Sequence, residues 1–162
     1  MKTHLIVNPA SANGRTGRHF DAVARAVREA VGDFDFSFTR QRGDGCALAR
    51  EVALAGADLV AAVGGDGTAS EVIDGLMDGD RPLRPEVVFG LIPRGSGGDL
   101  RRTLGLPSDI AQAALVLSSG RERTLDLGRI EFMGSDGRVV GRFEAIFSDE
   151  ELTSALEQLV KL

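Results

Sequence analysis

Short apolar segments alternate along most of the chain with longer segments whose apolar residues recur at helical spacing. The short segments are rich in β-branched and aromatic residues, as strands are, and cover residues 5–7, 34–38, 59–63 and 87–92. The helical segments cover residues 20–31, 47–52, 72–77 and 110–117. Strict alternation of strand and helix builds βαβ units. The sequence therefore predicts an α/β fold with a mainly parallel sheet flanked by helices.

The pattern changes from residue 124 onward. Residues 124–132 and 138–147 have strand character on either side of a Gly-Ser-Asp-Gly turn, which predicts a C-terminal hairpin. Ser148 and Glu151 have the spacing of a capping box ahead of an apolar helical pattern, which predicts a last amphipathic helix. We expect a nucleotide-binding domain over residues 1–128, and over residues 129–162 the hairpin and the helix rather than a full second domain.

Composition excludes several functional classes. The net charge of −5 argues against a broad contact with nucleic acid. The single cysteine, Cys46, cannot form an internal disulfide, and no apolar run approaches the roughly 20 residues of a transmembrane helix. The apolar stretch before Pro9 is too short for a secretory signal. We expect a cytoplasmic chain with no transmembrane segment and no nucleic-acid partner.

Three turns that follow predicted strands are rich in glycine and hydroxyl residues: residues 8–17, 64–68 and 93–99. In a parallel sheet, turns that follow strands lie at the carboxyl edge, where ligands bind. Glycine lets the backbone approach a ligand closely, and successive N–H groups at a helix N-terminus attract anions. Together the three turns predict one phosphate-binding site, whereas any one of them alone is equally well explained as a tight turn.

An acidic residue, Asp66, lies in the middle turn, where a carboxylate would repel phosphate. It is better suited to hold Mg²⁺ or to take a proton from an attacking hydroxyl, or it caps the helix that follows. Two familiar nucleotide motifs are absent. Neither Lys2 nor Lys161 lies in a GxxxxGK[ST] pattern, and the first turn reads NPASANGRTG rather than GxGxxG.

Three motifs, in this order, resemble the catalytic domain of the diacylglycerol kinase family. They are NP-x-S-x-x-G at residues 8–14, GGDGT at residues 64–68 followed by Glu71 and Gly75, and PRGSGGDLRRTLGLP at residues 93–107. The family includes bacterial lipid kinases, sphingosine kinases and ceramide kinases, and NAD kinases share GGDGT more distantly.

The resemblance covers residues 5–128 and includes Thr39 after the second strand. It implies the N-terminal nucleotide-binding domain of such a kinase, whose usual β-sandwich second domain is missing from this sequence. It also implies ATP-dependent phosphorylation of a lipid hydroxyl, on a diacylglycerol- or sphingosine-like substrate at a membrane surface, with ATP and Mg²⁺ as cofactors. The alternative is a truncated, catalytically weak nucleotide-binding module that acts through assembly or regulation. A homodimer or a partner chain would then complete the site.

The residues that match the family's motifs are the expected site. Asp66 matches an acid assigned to phosphoryl transfer in sphingosine kinases and is the expected catalytic residue and metal ligand, although bacterial relatives place a base in the C-terminal domain. Glu71 is expected to orient the middle turn, to reach the metal through water, or to act as a first-turn helical acid. The expected nucleotide-binding residues are Asn8, Ser11, Thr39, Gly64, Gly65, Gly67, Thr68, Ala69, Ser70, Glu71, Gly95 and Ser96.

Some positions depart from the family's pattern. Ser70 stands where the family usually has Asn, and Cys46 where it has His. Ser96-Gly97-Gly98 replaces Thr-Gly-Asn, so that a hydroxyl is kept at Ser96 but a side-chain amide is lost at Gly98. We expect weaker positioning or a local rearrangement at Gly98, and a small buried side chain rather than a reactive thiol at Cys46.

Overall fold

The computed structural model describes residues 1–95, 97–120, 122–133 and 139–145. The chain divides into two compact units, Met1–Glu122 and Arg123–Leu162. Ser96, the turn of the predicted hairpin and the predicted last helix lie outside the described residues. The proposed domain boundary at residue 128 stays a prediction.

The first unit contains six helices and six strands among its described residues. In chain order they are β1 (Thr3–Val7), α1 (Arg15–Arg18), α2 (Phe20–Val31), β2 (Phe34–Phe38), α3 (Asp44–Leu54), β3 (Leu59–Gly64), α4 (Asp66–Gly75), β4 (Met77–Asp78), β5 (Arg81–Pro82), β6 (Val88–Pro93), α5 (Asp99–Thr103) and α6 (Ile110–Ser119). The predicted strands and long helices are confirmed, except that the third predicted helix ends at Gly75 and Met77 lies in β4. The additional elements α1, α5, β4 and β5 are too short to produce a periodic pattern in the sequence.

Four strands form a sheet in the order β2-β1-β3-β6, and every neighbouring pair is parallel. Val7 pairs with Phe38 on one side and with Val63 on the other, and Val63 pairs with Ile92. The strands therefore end at nearly the same level, which brings the turns after all four of them to one edge. The predicted α/β fold with a parallel sheet is confirmed.

The sheet is covered by helices on both faces, which is why its central strands read as continuous apolar runs. Every residue of β3 is buried. On one face, side chains of β1, β3 and β6 pack with Phe20, Val23 and Val27 of α2 and with Ala114 of α6. Burying one such Val or Leu side chain contributes about 1.5–3 kcal/mol. This core fixes the strand ends that carry the turns.

Helices α3 and α4 pack closely against each other. A Cβ atom at Gly75 would lie 2.8 Å from the Cβ of Ala49 and would collide with the carbonyl oxygen of Cys46. Glycine at position 75 is therefore required by helix packing. Cys46 is half-buried rather than fully buried as expected.

The second unit contains a β-hairpin, as predicted. Strands β7 (Leu127–Met133) and β8 (Val139–Ala145) pair in antiparallel fashion in a sheet of their own, with Leu127 opposite Ala145. Strand β7 begins at Leu127 rather than at the predicted residue 124. In the described part of the chain, no helix is long and apolar enough to cross a membrane.

Candidate functional site

A pocket of about 660 Å³ lies at the carboxyl edge of the parallel sheet. Four segments line it, each following a different strand. They are residues 8–12 after β1, residues 39–42 after β2, residues 65–68 with Glu71 after β3, and Gly95 with Gly97 after β6. The three glycine-rich turns therefore meet at one edge, as the sequence predicts, and a fourth segment joins them.

The first and middle turns are connected through side chains. Asn8 Nδ2 donates a hydrogen bond to Thr68 Oγ1 (3.0 Å), and Asn8 Oδ1 accepts one from the backbone N–H of Ala10 (3.0 Å). Ser11 Oγ donates to the carbonyl oxygen of Asn8 (2.9 Å) and lies 2.6 Å from the hydroxyl of buried Thr16. Asn8, Ser11 and Thr68 thus come together as predicted, and their bonds fix the shape of one side of the pocket.

The middle and third turns meet backbone to backbone. A Cβ atom on Gly95 would lie 2.5 Å from the Cα atom of Gly65, and a Cβ on Gly65 would lie 3.2 Å from the Cα of Gly95. A Cβ on Gly64 would lie 2.6 Å from the Cβ of Thr68. These three glycines are therefore required by packing within the protein. A Cβ on Gly67, by contrast, would have no neighbour within 4 Å.

The carboxylate of Asp66 binds the N-terminus of α5. Oδ2 accepts hydrogen bonds from the backbone N–H groups of Gly98 (2.9 Å) and Asp99 (3.2 Å), and Oδ1 accepts a longer one from Leu100 (3.3 Å). Asp66 is the first residue of α4, and the hydrogen bonds described above join its carboxylate to the start of α5 and not to α4. The alternative that Asp66 caps the helix that follows is therefore wrong, because the helix it caps is α5.

Gly98 is the N-cap residue of α5 and has φ +78°, in the left-handed region. Asn also tolerates this region better than most residues, so the backbone conformation suits both Gly98 and the family's usual Asn. The backbone N–H of Gly98 donates its hydrogen bond to the carboxylate of Asp66.

Glu71 binds the N-terminus of α3. Oε1 accepts a hydrogen bond from the backbone N–H of Gly43 (2.9 Å), and Oε2 accepts one from Gly45 (3.1 Å). A Cβ on Gly45 would lie 2.8 Å from Oε2, and Gly43 has φ +93°. Glu71 is the sixth residue of α4 rather than a first-turn residue, so that expectation is wrong. It orients the loop between β2 and α3.

A second carboxylate holds the same loop from within. Asp44 Oδ2 accepts hydrogen bonds from the backbone N–H groups of Arg40 (2.8 Å) and Gln41 (3.1 Å). The N–H of Arg40 is the main cause that lowers the pKa of Asp44. Thr39, which is nearly buried, donates its backbone N–H to the carbonyl oxygen of Val7 (2.9 Å). Residues 39–45 therefore form a loop whose backbone is held at several points.

Some predicted residues lie away from the pocket surface. Ala69 is fully buried in the core, and Gly64 is buried beside Thr68. Neither residue lines the pocket. Ser70 does not line the pocket either. Arg40, Gln41 and Arg42 line it although sequence reasoning did not select them. The signal that could have revealed them is the run TRQRGDG directly after a predicted strand.

Comparison with known proteins shows the family to which the chain belongs. The diacylglycerol kinase catalytic domain family matches residues 2–130, and the chain belongs to this family. It is 35% identical over 130 residues to a diacylglycerol kinase of Bacillus subtilis, and 40% identical over 128 residues to the Chromohalobacter salexigens protein named Probable lipid kinase YegS-like. A crystal structure of a diacylglycerol kinase from Bacillus anthracis has 32% sequence identity and a TM-score of 0.67.

The match covers much of this chain but less than half of each relative. It includes 80% of this chain and 42% of the Bacillus subtilis protein, and 79% of this chain and 40% of the Chromohalobacter salexigens protein. For the Bacillus anthracis structure the shares are 78% and 44%. The chain therefore corresponds to one portion of the relatives, the portion with the parallel sheet and its pocket.

Proposed function

We propose that this chain is the nucleotide-binding part of an ATP-dependent lipid kinase, which transfers a phosphate from ATP to the hydroxyl of a diacylglycerol- or sphingosine-like lipid. The observation that carries the proposal is the meeting of the GGDGT turn, at the N-terminus of α4, with the turns after β1 and β6 in one pocket. Membership of the diacylglycerol kinase catalytic domain family supports the same reaction class.

The middle turn is the proposed phosphate site. Gly67 is the glycine of this turn at which an added Cβ has no protein neighbour, so this part of the backbone is open to a ligand. Thr68 and Asn8 hold the turn through their side-chain hydrogen bond. Backbone N–H groups at the start of α4 carry partial positive charge, which suits a phosphate oxygen. Ser11, Thr39 and Gly95 shape the surrounding walls.

Asp66 is the proposed residue for Mg²⁺ and for phosphoryl transfer. Its Oδ1 accepts one hydrogen bond of 3.3 Å, which leaves acceptor capacity on that oxygen. No group of three His, Cys, Asp or Glu residues that could hold a metal is found among the described residues. A single carboxylate fits Mg²⁺, because this ion commonly binds one or two carboxylates together with substrate phosphates and water. Bound Mg²⁺ would neutralise charge on the phosphates during transfer.

Asp66 has a second effect through Oδ2. This oxygen holds Gly98 and Asp99, and so fixes the loop after β6 against the middle turn. The same carboxylate would thereby position one wall of the pocket and serve the reaction with its other oxygen. Correct placement of the reacting groups is itself a large part of catalysis in phosphoryl transfer.

A second candidate function is a nucleotide-binding module with weak or no transfer activity. The observation that favours it is that both carboxylate oxygens of Asp66 already accept backbone N–H groups at the start of α5. A homodimer or a partner chain would complete the lipid site in that case. In the kinase proposal the lipid substrate would bring the working protein to the cytoplasmic surface of a membrane.

One experiment tests the proposal and separates the two functions. ATP labelled at the γ-phosphate is incubated with the full chain, Mg²⁺ and mixed vesicles that contain either diacylglycerol or sphingosine, and ATP binding is measured by calorimetry on the same preparation. Label in lipid supports the kinase, and ATP binding without label in lipid supports the binding module. Absence of ATP binding would contradict both.

A further inference from the structure

We propose that Arg40 and Arg42 bind the polyphosphate of the nucleotide from the β2 side of the pocket. The inference rests on the proposed function and deepens it, because it names a cationic wall for the same site. Both residues line the pocket and both are exposed. They lie across the pocket from the turn after β6, on the loop that Glu71 and Asp44 hold.

Arg40 and Arg42 each place a positive charge at the pocket, which favours an anion near these two side chains. Among the described residues, neither guanidinium group of Arg40 or Arg42 makes a hydrogen bond or an ion pair. Other arginines of the chain do pair with carboxylates: Arg50 with Asp78, Arg84 with Glu86, and Arg102 with Asp99.

The acids of the pocket are already occupied by backbone groups. Asp66 accepts three N–H groups, and Glu71 accepts two. Asp44 attracts Arg40 through space, but its Oδ2 accepts two backbone N–H groups of the loop. These hydrogen bonds hold the loops together, and in the described part of the chain none of the three carboxylates forms an ion pair with Arg40 or Arg42. Both guanidinium groups can therefore donate to a ligand phosphate.

The loop is built to keep the two arginines in place. Thr39 is bonded to β1 just before Arg40, and Glu71 holds Gly43 just after Arg42. A backbone fixed on both sides reduces the conformational freedom that is lost when a ligand binds. Guanidinium groups bind phosphate through two parallel hydrogen bonds, so this geometry favours polyphosphate over a neutral ligand. The net charge of the chain is −5, which makes this local cationic wall distinctive.

The test compares nucleotides that differ in phosphate number. Binding of ATP, ADP, AMP and adenosine to the full chain is measured by calorimetry at one salt concentration, for wild type, Arg40→Ala, Arg42→Ala and the double variant. We expect the double variant to bind ATP about 10- to 100-fold more weakly, with a smaller loss for AMP and none for adenosine. Arg→Lys at each position should give an intermediate loss, since lysine keeps the charge but not the paired donors.

The matched control is Arg25→Ala. Arg25 is exposed on α2 and lines a separate cleft with Asp21 and Arg28. Thermal unfolding should be the same in all variants, because Arg40 and Arg42 are exposed. Equal ATP affinity in wild type and the double variant would overturn this inference alone. An equal loss for adenosine and ATP would also overturn it, since the arginines would then act through loop packing. A wild-type chain that binds none of the nucleotides would overturn the proposed function as well.

Discussion

Two junctions at the pocket hold neighbouring segments together by different means. Between the turns after β3 and β6, the backbones of Gly65 and Gly95 touch directly. Between α4 and the loop after β2, the contact is made by one side chain, Glu71, which bonds Gly43 and Gly45. The first junction leaves no space for a side chain on either strand end. The second depends on a single carboxylate, which a substitution can remove without adding a steric clash. The two walls of the pocket should therefore respond differently to mutation.

The largest expected effect belongs to Asp66, which lies at the first junction. Asp66→Asn keeps the size of the side chain but removes its charge and its ability to take a proton, so the rate of phosphate transfer should fall by a factor on the order of 10²–10⁴. The rate is measured with labelled ATP and lipid vesicles, and ATP affinity should change less. An unchanged rate would leave Asp66 with only its contacts to α5.

If the wild-type chain has no transfer activity, the same substitution is tested through the metal. Mg²⁺ should strengthen ATP binding to wild type more than to Asp66→Asn. An identical Mg²⁺ dependence in both proteins would remove Asp66 from the metal site.

A substitution at Gly67 tests ligand binding separately from packing. Because a Cβ at this position meets no protein atom within 4 Å, Gly67→Val should fold normally and yet block the ligand's approach to the turn. We expect ATP binding to be lost within the range of calorimetry, which is a loss on the order of 100-fold or more. Circular dichroism and thermal unfolding show whether the fold is kept. If ATP binds Gly67→Val as it binds wild type, the middle turn is only a turn.

Gly95 should show the opposite behaviour. In Gly95→Ala the added Cβ would lie 2.5 Å from the Cα of Gly65, and backbone atoms have no rotamer by which to move away. The substitution should lower the free energy of unfolding by about 1–3 kcal/mol, as overpacking does. Urea unfolding checks this, with Gly67→Ala as the control that should change stability by less than about 0.5 kcal/mol. Equal stability of the two variants would mean that the first junction is not tight.

The second junction should show a smaller and graded effect. Glu71→Ala leaves the N–H groups of Gly43 and Gly45 without their acceptor and should cost about 1–2 kcal/mol, since Glu71 is only partly buried. Glu71→Gln keeps one acceptor oxygen and should cost less. Urea unfolding measures both variants against Glu51→Ala, an exposed acid on α3. A Glu71→Ala protein as stable as the control would show that the loop does not depend on this side chain.

The sheet and the middle of the site were predictable because they depend on local patterns. Apolar runs with turn residues at their ends predict strands, and parallel pairing then predicts Asn8, Gly64 and Gly95 near one edge, where the structure has them. The partners of Asp66 and Glu71 were not predictable, because each lies on a segment more than twenty residues away along the chain. Sequence spacing gives a residue's neighbours on its own helix but not the loop across the pocket.

The glycines of the turns are required for two different reasons, which the sequence does not distinguish. A glycine in a turn predicts room for a ligand, and at Gly67 this prediction agrees with the open space around the residue. At Gly64, Gly65 and Gly95 the missing side chain is required by the protein's own packing. Ala69 shows a similar limit, because the period of α4 turns it into the core although it directly follows the motif. Only three-dimensional contacts distinguish these cases.

The contact between Gly65 and Gly95 also constrains how two motifs that are distant in the sequence can vary. The two residues belong to GGDGT and PRGSGGD, which are separate in the chain, yet a side chain gained at either one would strike the backbone of the other. Natural variants of this portion should therefore keep both glycines or replace both in concert with a shifted strand end. A change in one motif is therefore constrained by the other, and the two glycines should vary together.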